Sequence, residues 1–262
     1  MWVEAFRQAL RDSGRSLMWW AVGLTLYVGM VMAFFPLLKD NAAIDDLLRS
    51  LPESLRALTG DNLGTPTGYV SGELLMMMPV LLSVFASLQG SALVAGHEER
   101  GWLEFPLAQP LTRGALLLGR TLVLLTLLLA LGTVLFLSTW GAGQVFGAPL
   151  PAGRLAGTVA LHVLGAWPFG ALALALGAAT GRSGLAAGVG AGLGIGLMVL
   201  QSVSAQVPVL NDLAWLNPWK YVLTDLPLEN GVAVWPAVVF LLVGAALPAL
   251  AAPAFGGRDV GR

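Results

Sequence analysis

The sequence predicts an all-α integral membrane protein that crosses the bilayer six times. Three observations predict it. Of the 262 residues, 56% are hydrophobic and only 11% charged, and mean hydropathy is +0.77. Soluble domains are about 45 to 50% apolar and about 25% charged. Six apolar runs, at about 16–38, 72–95, 115–140, 154–180, 184–204 and 233–255, each reach the roughly 20 residues that a spanning helix needs. No Lys, Arg or Asp lies deep within these runs, and Glu73 falls at the end of one. The chain reads as one transmembrane domain over 1–262, without an internal repeat.

The first 15 residues form an amphipathic pattern. At 100° per residue, Trp2, Val3, Phe6, Ala9 and Leu10 share one arc, and Glu4, Arg7, Gln8, Arg11, Asp12 and Arg15 the other. That pattern predicts a helix lying in the membrane interface over 1–15, ahead of the first span. Charge interrupts the apolar residues and no small-residue cleavage site follows, so the segment is not read as a signal peptide.

The connection at 39–71 is predicted to hold structure of its own, because Ile44, Leu47, Leu48, Leu51, Leu55 and Leu58 recur at helical spacing and Pro52 suits a helix start. In 207–230, Trp215, Trp219 and Tyr221 alternate with Pro208, Pro218 and Pro227. Broken helical pieces at the outer membrane interface are expected there, partly dipping into the bilayer where protein covers them. The fifth run carries Gly184, Gly188, Gly192 and Gly196 at four-residue steps, with Gly190 and Gly194 beside them. The four-step set is predicted to pack closely against a helix of this chain or of a second copy.

Orientation follows from Lys and Arg. With the N-terminus inside, the inner segments hold nine, namely Arg7, Arg11, Arg15, Arg100, Arg113, Arg120, Arg182, Arg258 and Arg262, and the outer ones five, namely Lys39, Arg49, Arg56, Arg154 and Lys220. That bias predicts both termini in the cytoplasm.

Little here points to chemistry. Net charge is −1 and nothing suggests a nucleic-acid partner. There is no cysteine, and no GxxxxGK[ST] phosphate loop, so no nucleotide site of the usual kind. HEER at 97–100 lacks the second histidine of a zinc helix, and His97 and His162 are too far apart along the spans to share a metal. Gln89, His162 and Gln201 are the notable polar side chains within spans. They are candidates for lining a pathway, although bonding to a neighbouring helix is the commoner role.

One island breaks the apolar pattern. His97, Glu98, Glu99, Arg100 and Glu104 fall within eight residues, in GHEERGWLEFPLAQPLTRG between the second and third runs. Charges so placed cost roughly 2.5 to 3.5 kcal/mol or more each at the bilayer centre, so they belong in water or against protein. The run HEERGWLEFPLAQPLTRGALLLGR resembles the segment between spans two and three of ABC-type-two transporter permeases. The amphipathic N-terminus, LNPWKYVL before the last span and the FGGRDV ending agree with that family. The long 39–71 loop and Gly256-Gly257 depart from it.

The resemblance implies a permease of two copies, or one copy with a related partner, in the plasma membrane of a bacterium or archaeon. It implies two copies of a separate ABC ATPase subunit, which would carry ATP and Mg, with no cofactor in this chain. The 98–108 stretch would be the coupling helix, and Glu98, Glu99, Arg100, Gly101 and Glu104 its ATPase contacts. Export is the expected direction. The alternatives are a secondary transporter, which usually needs a carboxylate within the membrane, and a membrane-embedded enzyme, which needs polar groups gathered at one depth. The substrate is not legible.

Overall fold

The computed structural model describes residues 2–39, 64–101, 112–204 and 207–258, with only the backbone described at 2–5 and 208–209. Six helices are long and apolar enough to cross a membrane. In chain order they are α1 (Trp2–Leu38), α2 (Pro66–Glu99), α3 (Arg113–Val145), α4 (Ala152–Thr180), α5 (Ser183–Ser204) and, after two short helices, α8 (Val234–Gly257). The short ones are α6 (Pro208–Asp212) and α7 (Pro227–Asn230). With six crossings, both termini lie at one end of the bundle, here called the terminal end.

Five of the expected spans fall within these helices, and the sixth starts one residue ahead of α8, at its N-cap Ala233. The N-terminal helix differs from expectation. α1 runs without interruption from Trp2 to Leu38, so residues 2–15 are its first turns and not a separate interfacial helix. The reason is visible in its apolar stripe. Ala9 is fully buried and Phe6 and Leu10 pack on the core, so the stripe faces protein, where the sequence reading had it face lipid. Ser13 bonds back to the Ala9 carbonyl at 3.0 Å. Gly14 alone does not break a helix, since glycine costs only about 1 kcal/mol relative to alanine. At about 1.5 Å per residue, 37 residues extend about 55 Å, well beyond a hydrocarbon core of about 30 Å. The charged first turns therefore project past the bilayer.

α4 is the centre of the fold. It packs on α2 and α8 most extensively, then on α5 and α3, while α1 packs chiefly on α3. In its most apolar stretch 72% of α4 is buried, against 22% for α1, α5 and α8. The α2–α4 crossing is close because glycine faces glycine. A Cβ on Gly90 would run into the Gly170 carbonyl, and one on Gly170 would lie 2.8 Å from the Ala86 Cβ.

α2 is not a uniform helix. It widens into π-turns at Val70–Leu74 and Ala92–Gly96 and tightens into a 3-10 turn at Leu75–Met77. In the second wide turn the His97 ring donates from Nδ1 to the Ala92 carbonyl at 2.8 Å. Thr65 caps the start, its hydroxyl accepting from Gly68 N–H at 3.1 Å. The predicted helices over 41–58 lie outside the described residues.

Between α5 and α8 the chain forms the broken pieces that its prolines predict: α6, a 3-10 turn at Ala214–Leu216, a π-turn at Lys220–Thr224, and α7. Trp215 is exposed, as an interface aromatic should be. Trp219 is not. It is fully buried, stacks on Phe169 with centroids 5.2 Å apart, and donates from Nε1 to the Gly194 carbonyl at 2.8 Å. Asn217 donates to the Leu197 carbonyl at 2.7 Å. Gly194 lies ten residues before the end of α5 at Ser204, about 15 Å along the helix, so the segment folds inward against α5.

Candidate functional site

The charged island emerges at the terminal end, where α2 ends and α3 begins. α2 stops because Gly101 adopts a left-handed φ of 70° and its N–H closes the last turn on the Glu98 carbonyl at 2.9 Å. α3 starts at Thr112, whose hydroxyl accepts from Ala115 N–H at 3.2 Å. Residues 102–111, including Glu104, lie outside the described residues. Glu98 and Glu99 belong to the last turn of the second span, and not to a separate helix beginning at 98 as the sequence reading had it.

Their carboxylates also point elsewhere than expected. The expectation from the sequence is that they face an ATPase. Instead Glu98 pairs with Arg258, with side chains only 15% and 23% exposed. Glu99 accepts from Ser183 N–H at 2.8 Å and from Ser183 Oγ at 2.5 Å. Ser183 opens α5, so Glu99 satisfies a backbone donor that has no partner within its own helix and places negative charge at the positive helix end.

Arg258 and Arg113 do the converse at helix C-termini. Arg258 donates from Nη1 to the Ala178 carbonyl at 2.9 Å, in the last turn of α4. Arg113, the first residue of α3, donates from Nη1 to the carbonyls of Phe255, Gly256 and Arg258 at 2.8, 3.2 and 2.5 Å, gathering the end of α8. Gly181, which ends α4, has a left-handed φ of 69°, and a Cβ there would lie 2.6 Å from the Arg258 guanidinium. Charge-assisted bonds of this kind are roughly twice as strong as neutral ones. On the other side of α2, His97 Nε2 lies 3.6 Å from Asp12 Oδ2 on α1, and Arg120 of α3 is buried near that pair.

The pathway candidates are not brought together. Gln89 is buried and donates to Ser16 Oγ on α1 at 2.6 Å. His162 is buried and donates from Nδ1 to the Thr158 carbonyl at 2.8 Å. Gln201, at the far end of α5, donates to Thr224 Oγ1 at 3.0 Å. Two of the three bond a neighbouring segment, and the third its own helix.

The glycine expectation needs a correction of face. A Cβ on Gly184, Gly188, Gly192 or Gly196 would meet nothing within 4 Å in this chain. The close contacts belong to Gly190 and Gly194. A Cβ on Gly190 would lie 2.6 Å from Ser87 Oγ and 2.8 Å from the Phe169 carbonyl, and one on Gly194 would lie 2.6 Å from the Ser83 Cβ. Sequence reasoning missed Gly90, Gly170, Arg113 and Arg258 as organising residues. A lone glycine has no repeat to reveal it, and the two arginines were counted only as topology signals.

A six-span helical bundle with a charged connection between its second and third spans, and an infolded segment before the last, is the body of a multi-pass membrane protein. A family model described as ABC-2 family transporter protein matches residues 5–260, nearly the whole chain, and the chain belongs to that family. Membership makes it the membrane component of an ABC transporter and implies an ABC ATPase as its partner in general. No curated protein matches the chain.

Proposed function

We propose that the chain is the permease of an ABC exporter whose ATPase is a separate subunit, and that the connection leaving α2 at Arg100 is its docking element. The observation that carries this reading is the family match over residues 5–260. The placement of the connection supports it: α2 ends at Gly101, immediately beyond two glutamates held by the bundle itself. Arg100, Gly101 and Glu104 are the ATPase-facing part of the island. Glu98 and Glu99 form its root, acting on the ATPase through the position of the connection.

Both termini are placed in the cytoplasm by the nine-to-five Lys and Arg bias. Two permease copies on two ATPase copies form the working unit, in the plasma membrane of a bacterium or archaeon, with ATP and Mg bound by the ATPase. The face of α5 bearing Gly184, Gly188, Gly192 and Gly196, which meets nothing within this chain, is placed toward the second copy, where glycines let backbones approach.

The test is co-purification of the ATPase encoded beside this permease. Wild-type permease should retain it, and Arg100→Glu combined with Glu104→Lys should lose it at least tenfold, since about 1.4 kcal/mol is a factor of ten. Retention by the double variant would remove the docking role, and no retention by wild type would remove the separate ATPase.

A further inference from the structure

We propose that Arg258 is a positioning residue for energy coupling: it ties both roots of the α2–α3 connection to the ends of α4 and α8, so that movement of the connection becomes movement of the spans. This rests on the reading of the chain as a permease driven through that connection.

The bonds converge on one residue from both sides. On the α2 side, the Glu98 carboxylate pairs with the Arg258 guanidinium. On the α3 side, Arg113 donates to the Arg258 carbonyl at 2.5 Å and to two carbonyls in the last turn of α8. The two roots are thus joined to each other through the chain at residue 258, without use of the connection itself. The same guanidinium bonds the Ala178 carbonyl of α4 at 2.9 Å, and Gly181 leaves open the space that it fills.

Glu99, next to Glu98, holds the first residue of α5. A displacement of the α2 root therefore acts on α4, α5 and α8 together, and these include the central helix of the bundle. The Glu98–Arg258 pair is largely shielded from water, and Glu98 Oε2 is buried and makes no hydrogen bond to the described residues. Truncating one member of such a pair leaves the other buried and uncompensated. A side chain that served only to cap α4 would need neither Glu98 nor the Arg113 bonds to its own carbonyl.

The experiment reads movement at the opposite end of α8. Val234 opens α8, is 73% exposed, and lies about 36 Å from the terminal end of that helix. The chain has no native cysteine, so Val234→Cys gives a single labelling site. The permease–ATPase complex is reconstituted in lipid nanodiscs, and maleimide labelling is compared with and without ATP plus vanadate.

In the Val234→Cys parent, nucleotide should change the labelling rate. Adding Arg258→Gln should reduce that change at least about fivefold, the lower edge of ordinary coupling between sites, with the ATPase still bound. Arg258→Lys, which keeps the charge opposite Glu98, should restore most of it. If Arg258→Gln does not fold, Glu98→Gln makes the same comparison with Arg258 still on Ala178. A parent-like response in either glutamine variant overturns the role, as does a parent that binds and hydrolyses ATP with no change at Val234. A parent that retains no ATPase overturns the permease-on-ATPase reading beneath it, a result visible before any labelling is read.

Discussion

The glycines of α5 offer the sharpest test, because two residues of the same type on one helix are assigned opposite effects. Gly188 and Gly190 are 200° apart around an α-helix. Alanine at Gly188 meets nothing within 4 Å. Its expected effect in the isolated permease is between zero and a gain of about 1 kcal/mol, the difference in helix propensity. Alanine at Gly190 places its methyl 2.6 Å from Ser87 Oγ, 2.8 Å from the Phe169 carbonyl and 3.1 Å from the Ala173 Cβ. Ser87 can rotate, but the backbone carbonyl cannot, so α5 must move off α4 by several tenths of an ångström. Overpacking of this kind costs typically about 1 to 3 kcal/mol. The propensity gain offsets part of that, and Gly190→Ala remains net destabilising or at best neutral. The assay is thermal melting of the permease monomer, separated from dimer and from ATPase in one detergent, for wild type and both variants. The order should be Gly188→Ala at or above wild type and Gly190→Ala below it. The reverse order, or equal losses, would refute the assignment of faces.

Two other outcomes follow from the terminal end. Glu98→Ala and Glu99→Ala together should lower the melting temperature of the permease without any ATPase present, since one change strands Arg258 and the other uncaps α5. The larger share of the loss should come from Glu98→Ala, which leaves the shielded Arg258 guanidinium without its carboxylate, and a wild-type melting curve would return both residues to an outward-facing role. For topology, single cysteines at Gln8 and Asp259 should resist an impermeant maleimide in intact cells while Ser54 and Val145 react, and reaction at Asp259 would overturn the orientation.

The fold was legible where its physics is one-dimensional. Each span is a run of apolar residues of sufficient length, so composition alone locates it to within a few residues, and the prolines at 208, 218 and 227 announce broken helix in the same way. What sequence could not give is which side of a helix meets which neighbour. α5 carries a glycine at nearly every second position between Gly184 and Gly196, so every face looks suited to close packing, and only tertiary contact selects Gly190 and Gly194. Trp219 shows the same limit. Its type and position fit a membrane interface, yet Asn217 and the Gly194 carbonyl draw it inside. The amphipathic stripe of residues 2–15 was read correctly as a stripe and assigned to the wrong surface, because a helix moment cannot distinguish lipid from protein.

The charged island illustrates why proximity in sequence misleads about role. Five charged or titratable residues in a short stretch invite a single explanation, and an aqueous docking surface is the natural one. But five helix ends meet here: the C-termini of α2, α4 and α8 and the N-termini of α3 and α5. Each leaves backbone groups without intrahelical partners. A membrane protein cannot leave such groups dry, and water is available only at the rim. Charged side chains nearest the spans are therefore drawn into satisfying helix ends, as Glu99 does for Ser183 and Arg258 for Ala178. The residues that hold the fold together at this rim therefore form the root of the proposed docking element, where a partner's pull would reach the spans.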